Sequence, residues 1–181
     1  MGLIANIRRW AYQRSLDRLT HRSQRQEQAM NLDRAKTIAI LFDANLLEHR
    51  EQVLRYAERL RKQNKRVRLL GYLSVVDKEA TYPFKTFSRK EVDWAYRPHG
   101  EQVEKFLQGS YDLFFCLSAA PNPSFEYLAA GVQAAMKIGP VAEHSACYDL
   151  MIDLGEQVSP RQLIDQAEAI LKKTNVEYLT V

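Results

Sequence analysis

No glycine-rich phosphate loop follows the first strand-like segment of this sequence. Phe42-Asp43-Ala44-Asn45-Leu46-Leu47 contains no glycine at all. Phosphates need close backbone approach, which side chains at these positions obstruct. The Walker A and dinucleotide fingerprints are therefore both missing. Cysteine is scarce. Cys116 and Cys147 are the only two, both in apolar segments and without zinc or redox spacing. They read as small buried hydrophobes in a reducing compartment, not as a disulfide. The four histidines, His21, His49, His99 and His144, are scattered. No metal site and no cofactor is called for.

Long apolar runs are missing too. Thr37–Phe42 and Leu113–Leu117 fall far short of the roughly 20 residues that a membrane-spanning helix needs. Met1 to Arg9 lacks a long apolar core and a small-residue cleavage site, so no secretory leader is expected. Met1-Gly2 opens like a myristoylation site, but Asn6 stands where Ser or Thr is required. There is no internal repeat and no low-complexity linker.

What is present is an ordinary globular composition, 46% hydrophobic and 27% charged over 181 residues. That is one domain's worth of chain. The net charge of +4 is unevenly spread. Residues 1–36 hold eight basic and three acidic side chains, or +5. The remaining 18 basic and 19 acidic give −1. The basic character belongs to the N-terminal segment.

Residues 2–29 read as helix, free of Gly and Pro after Gly2 and rich in Arg, Gln, Leu and Ala. At about 100° per residue, Leu3, Ile4, Ile7, Trp10 and Ala11 share one face. The same ridge continues as Arg14, Arg18, Arg22 and Arg25. Tyr12, Leu16 and Leu19 form a second strip to one side. A helix built only for core packing would stay apolar along the whole ridge. The chain therefore divides into a basic helical arm, 1–32, and a single α/β domain, 33–181.

Within the domain, Thr37–Phe42 is a continuous apolar run, as in a parallel strand buried on both faces. An amphipathic helix follows over 46–64 and a strand over 67–73. Lys85–Phe87 is a short strand and 101–108 a helix. Tyr111–Leu117 is a strand and 124–135 a helix of small residues. Strands follow at 136–141 and 150–154. Ser159-Pro160 opens a last helix to Lys173. This alternation predicts an open, mostly parallel, Rossmann-like sheet of five or six strands with helices on both faces.

Ligands of such sheets bind beyond the carboxyl ends of the strands. The polar residues expected there are Asp43, Asn45, Ser74, Asp77, Ser118, Asn122 and Asp153. Asp43 has a simpler role as cap of the following helix. His144, Ser145, Cys147 and Asp149 lack a nucleophile elbow and read as surface-loop residues. Phe87, Trp94 and Tyr96 lie beside Arg89, Lys90 and Arg97. Aromatics interleaved with cations can stack on bases, but covering the sheet edge is the simpler role.

The segments 36–43, 68–72 and 92–94 before Arg97-Pro98 carry a resemblance, together with 111–113 and 148–154. Over nearly the whole chain they resemble a family of small uncharacterised bacterial proteins. The resemblance implies a cytoplasmic bacterial protein and brings no activity. Residues 111–139 also resemble one half of a heptosyltransferase-type glycosyltransferase. The second, sugar-nucleotide-binding half has no counterpart, so that likeness bears on the fold alone.

Two functions follow as expectations. The first is a non-catalytic accessory or adaptor protein whose arm docks on RNA or a ribosome, on the inner face of a membrane, or on a partner protein or second copy. Its cationic contacts would be Arg8, Arg9, Arg14, Arg18, Arg22 and Arg25. Its apolar face would be Leu3, Ile4, Ile7 and Trp10. The second is a small nucleotide- or sugar-phosphate-binding enzyme using Asp43, Asn45, Ser118, Asn122 and Asp153.

Overall fold

The computed structural model describes residues 2–22, 30–77, 79–119, 122–142, 144–155 and 159–173. Helix α1 spans Gly2–Arg22. The alternation that follows is β1 (Thr37–Asp43), α2 (Leu47–Lys62), β2 (Arg66–Leu73), β3 (Lys85–Ser88) and α3 (Glu101–Leu107). It continues with β4 (Ser110–Leu117), α4 (Pro123–Gly131), β5 (Gln133–Pro140), β6 (Leu150–Ile152) and α5 (Pro160–Lys173). The expected helix at 2–29 is present to Arg22. Residues 23–29 lie outside the described residues.

The six strands form one sheet in the order β3-β2-β1-β4-β5-β6. Every neighbouring pair is parallel. Strand β1 lies at the centre, with Ile38 to Phe42 fully buried on both faces, which is why its sequence is apolar without alternation. The direction in which the chain fills the sheet reverses between β1 and β4. That is the topological switch point of a doubly wound fold.

Each face of the sheet has its own core. On one face, Val53, Tyr56, Ala57 and Leu60 of α2 and Leu163, Ile164, Ala167 and Leu171 of α5 pack on Ile38, Ile40, Phe42 and Phe115. Their spacing is that of one helical stripe. On the other face, Val103 and Phe106 of α3 and Phe125, Leu128 and Ala129 of α4 pack on Ala39, Leu41 and Phe114. Tyr12 and Leu16 of α1 belong to this second core.

Local expectations needed correction. The helix expected over 124–135 ends at Gly131, and the strand after it begins at Gln133. Ala134 and Ala135 favour helix locally, but pairing of Ser110 with Gln133 and of Tyr111 with Ala134 gives them a ladder. Tertiary pairing overrides a weak propensity. The last strand stops at Ile152 instead of 154. Asp43 does not cap α2, whose N-cap is Leu46 with no side-chain bond. Its Oδ1 accepts from the Asn45 N–H at 2.8 Å and from Asn45 Nδ2 at 2.7 Å. This is the turn-forming alternative open to an Asp at a strand end. Ser159 does cap α5 as expected. Its hydroxyl accepts from the Gln162 N–H, while the Ser159 N–H donates to Gln162 Oε1.

Candidate functional site

The strand-end residues divide into local groups. Asn45 Oδ1 accepts from the Ser74 N–H at 2.8 Å and from its hydroxyl at 2.7 Å. Asp43, Asn45 and Ser74 thus tie the ends of β1 and β2 together. Asn122 caps α4 by accepting from the Ser124 N–H at 2.9 Å. Ser118 is buried at the end of β4. Asp153 is exposed and closes its own turn with the Gly155 N–H, and Asp77 does the same with the Glu79 N–H. Apart from Ser118, these side chains serve loop and cap geometry. Among the described residues, no cluster of three or more His, Cys, Asp or Glu is placed to hold a metal.

A polar cluster that the sequence did not disclose lies beneath α1. Glu126, in the first turn of α4, is 5% exposed. Its Oε2 lies 2.9 Å from His144 Nδ1 and 3.5 Å from the Tyr12 hydroxyl. A carboxylate there also faces the positive end of the α4 dipole. Tyr12 donates to the Pro123 carbonyl at 2.8 Å and meets His144 and Tyr96 edge-to-face. His144 and Cys147 are therefore not surface-loop residues. Their segment packs inward, and Cys147 is fully buried.

The Cys116 thiol is not activated as a nucleophile. Burial pushes the Cys116 thiol up to about 12, so no thiolate exists at neutral pH. Burial also holds the Tyr148 phenol, which hydrogen-bonds Cys116, well above its ordinary range. Both cysteines are buried thiols, as expected. Lys137 is another buried charge missed in the sequence. Its Nζ donates to the Ala129 carbonyl at 2.7 Å and the Ala130 carbonyl at 3.3 Å, so it caps the end of α4.

A cleft of about 310 Å³ separates α2 from α5 and is lined by Arg55, Arg59 and Arg161. Its cations face neighbouring carboxylates: Arg59 with Glu168 at 2.7 Å, Arg55 with Glu51 at 3.5 Å, Arg161 with Asp165 at 3.7 Å. It is therefore a poor anion site.

Helix α1 has two different sides. Tyr12 and Leu16 are buried against the domain, and Leu19 is half-buried beside Gly131. The Arg8 guanidinium carbon lies over the Tyr96 ring, 3.6 Å from its centroid. About 160° around the helix from Tyr12, Trp10 is 59% exposed. Ile7 is 50% exposed on the same ridge. The Arg14 guanidinium sits 5.2 Å from the Trp10 ring. Arg9, Arg14 and Arg18 are exposed. The side chains of Leu3, Ile4 and Arg22, and the whole of Arg25, lie outside the described residues. The second strip seen in the sequence is the docking strip, and of the mixed ridge Ile7, Trp10, Arg14 and Arg18 face solvent.

Phe87 is buried under the sheet edge, as expected, but Trp94 is 57% exposed. Asp93 holds its loop. One oxygen accepts from the Ala95 and Arg97 N–H groups, and the other pairs with the Arg97 guanidinium at 2.7 Å. The loop therefore presents Trp94 at its tip.

Sheet order, two-sided helical cover and a helix added outside α4 define a doubly wound α/β protein carrying an extra N-terminal helix. The chain belongs to a family of unknown function, DUF6913, which matches residues 8–174. The match takes in most of α1, so the helix is part of the family's domain. No curated protein matches the chain.

Proposed function

We propose that this chain is a non-catalytic accessory or adaptor domain of the cytoplasmic side, docking on an anionic surface through the outer ridge of α1. One observation carries this reading. A helix fixed to its domain by Tyr12 and Leu16 turns an exposed Trp, an exposed Ile, Arg14 and Arg18 outward and leaves Arg9 exposed to one side. Exposed apolar surface rimmed by one sign of charge is the composition of an interaction face. Asp43, Asn45, Asn122 and Asp153, by contrast, are engaged in turns and a helix cap. The domain then acts as a scaffold that holds the helix and offers its remaining surface to other molecules.

The expected affinity is modest. Near an anionic bilayer each arginine contributes about 1 kcal/mol, so Arg9, Arg14 and Arg18 give about 3 kcal/mol. Burying the exposed halves of Ile7 and Trp10 adds about 2–3 kcal/mol. The total corresponds to a dissociation constant of about 0.1 mM in accessible lipid. That is a reversible contact. Replacing the three arginines by glutamine should remove about 3 kcal/mol and weaken co-sedimentation with anionic vesicles more than a hundredfold. Unchanged co-sedimentation of that triple variant refutes the reading. Structured RNA in parallel tubes tests the other anionic surface, for which Trp10 matters less than the arginines.

A further inference from the structure

Helix α1 projects beyond the sheet. Its Tyr12 hydroxyl sits on the first residue of α4, Pro123, and its Leu19 side chain lies beside the last, Gly131. The two helices therefore run in the same direction. Helix α4 follows β4, so its N-terminus is at the carboxyl end of the sheet. The ten residues before Tyr12 must then extend about 15 Å past that end. The contact of Arg8 with Tyr96, in the segment after β3, agrees with this placement.

The same end of the molecule carries other exposed apolar side chains. Leu46 and Leu47 stand where β1 passes into α2, at 57% and 62% exposure. Val75 and Val76 follow β2, and Val75 is 81% exposed. Asn45 bonds Ser74 across the two loops, so the segments that carry these four aliphatic chains are neighbours. Trp94 follows β3, and the exposed Val141 follows β5. Ile7 and Trp10 sit on the projecting turns of α1. Both tryptophans of the chain are thus exposed at the same end, although tryptophan is ordinarily a well-buried residue.

We propose that the carboxyl end of the sheet is a membrane-contact surface, with the loops after β1, β2 and β3 entering an anionic lipid interface beside the projecting first turns of α1. This rests on the anionic-surface reading of α1 and names the surface as a bilayer. The apolar tips stand on separate segments with polar Asn45 and Ser74 between them. A fluid interface conforms to such uneven tips, whereas a protein partner needs one complementary face. Tryptophan prefers the headgroup level, where its ring is half wet. Arg14 sits against Trp10, and with Arg9 it complements anionic headgroups. Asp77 follows Val76 directly, and a charge is costly below the headgroups. Insertion is therefore limited to the loop tips, and the sheet stays above the surface.

The test uses the full-length chain and phosphatidylglycerol/phosphatidylcholine vesicles containing bromine-labelled lipid. The Trp10→Phe variant leaves Trp94 as the sole tryptophan, and Trp94→Phe leaves Trp10. Quenching and a blue shift of Trp94 emission are expected, because Trp94 is not on the arm. A variant with Leu46, Leu47, Val75 and Val76 all changed to serine should bind these vesicles at least tenfold more weakly. Its melting temperature should be unchanged, since these side chains are exposed. Quenching of Trp10 but not Trp94, with full binding by the serine variant, overturns the loop contact and leaves the α1 reading intact. Absence of vesicle binding together with binding to structured RNA also overturns it and leaves the arm as an anion-binding element. A particle of twice the mass in light scattering, with both tryptophans shielded before vesicles are added, overturns it in favour of a second copy.

Discussion

Replacing Leu16 by alanine tests whether α1 is part of the folded domain or a rod that trails from it. Leu16 is 2% exposed and lies in the core shared with α4. Leu→Ala at a buried site costs about 2–5 kcal/mol, and the lower end applies where a peripheral helix can close partly over the gap. For a chain of this length each kcal/mol lowers the melting temperature by about 2–4 °C. A loss of roughly 4–10 °C in calorimetry is therefore expected. Trp10→Ala, on the outward ridge, should change stability by less than about 0.5 kcal/mol. Limited trypsin digestion gives a second readout. Cleavage at Arg14 and Arg18 should be slow in the native chain and fast in Leu16→Ala, because a lone helix of this length is marginal in water. If Leu16→Ala melts with the wild type and is cut no faster, α1 is not docked, and the separation of its two sides has no basis.

Asp112 supplies a pH test. Burial raises its carboxyl, but hydrogen bonds from the Lys36 N–H, the Thr37 N–H and the Thr37 hydroxyl outweigh that and hold it below the usual range. A depressed carboxyl stabilises the fold above its unfolded value near 4 and loses that contribution as pH falls through its lower folded value. Asp112→Asn should therefore melt lower than wild type at pH 7, by about 1–2 kcal/mol in stability, with the gap closing in acid; a pH-independent gap contradicts this. Gly139→Ala would bring a Cβ within 2.4 Å of the Tyr148 ring, whose side chain is buried. It should cost at least about 1–3 kcal/mol in denaturant unfolding, and neutrality would show the sheet and Tyr148 to be loosely packed. Iodoacetamide at pH 8 should label neither cysteine in the native chain and both after unfolding, because both thiols are buried and Cys116 is held as a thiol. Fast native labelling of Cys116 would contradict the packing of β4.

The parallel sheet was legible because its central strands are continuous apolar runs between amphipathic helices. The start of helix α5 could be placed to the residue because Ser159-Pro160 is a local start code. The boundary between α4 and β5 was not legible, because Ala134 and Ala135 favour helix and only the ladder to β4 decides otherwise. Tyr12, Leu16 and Leu19 were visible as a strip, and nothing local said that they meet α4. Glu126 and Lys137 are ordinary surface types in sequence. Their burial depends on His144, Tyr12 and two helix-end carbonyls, brought together only by the fold. The exposure of Trp94 was hidden for the same reason, since its loop is shaped by Asp93. The apolar carboxyl end arises from loops far apart in sequence and adjacent only across the sheet.

Titrating the full-length chain with vesicles of rising phosphatidylglycerol content, at low and physiological salt, probes the outward face of α1 directly. Binding should be negligible on phosphatidylcholine alone. It should rise with anionic content toward about 0.1 mM and weaken as salt screens the arginines. Equal binding to neutral and anionic vesicles, or none to either, would contradict the account.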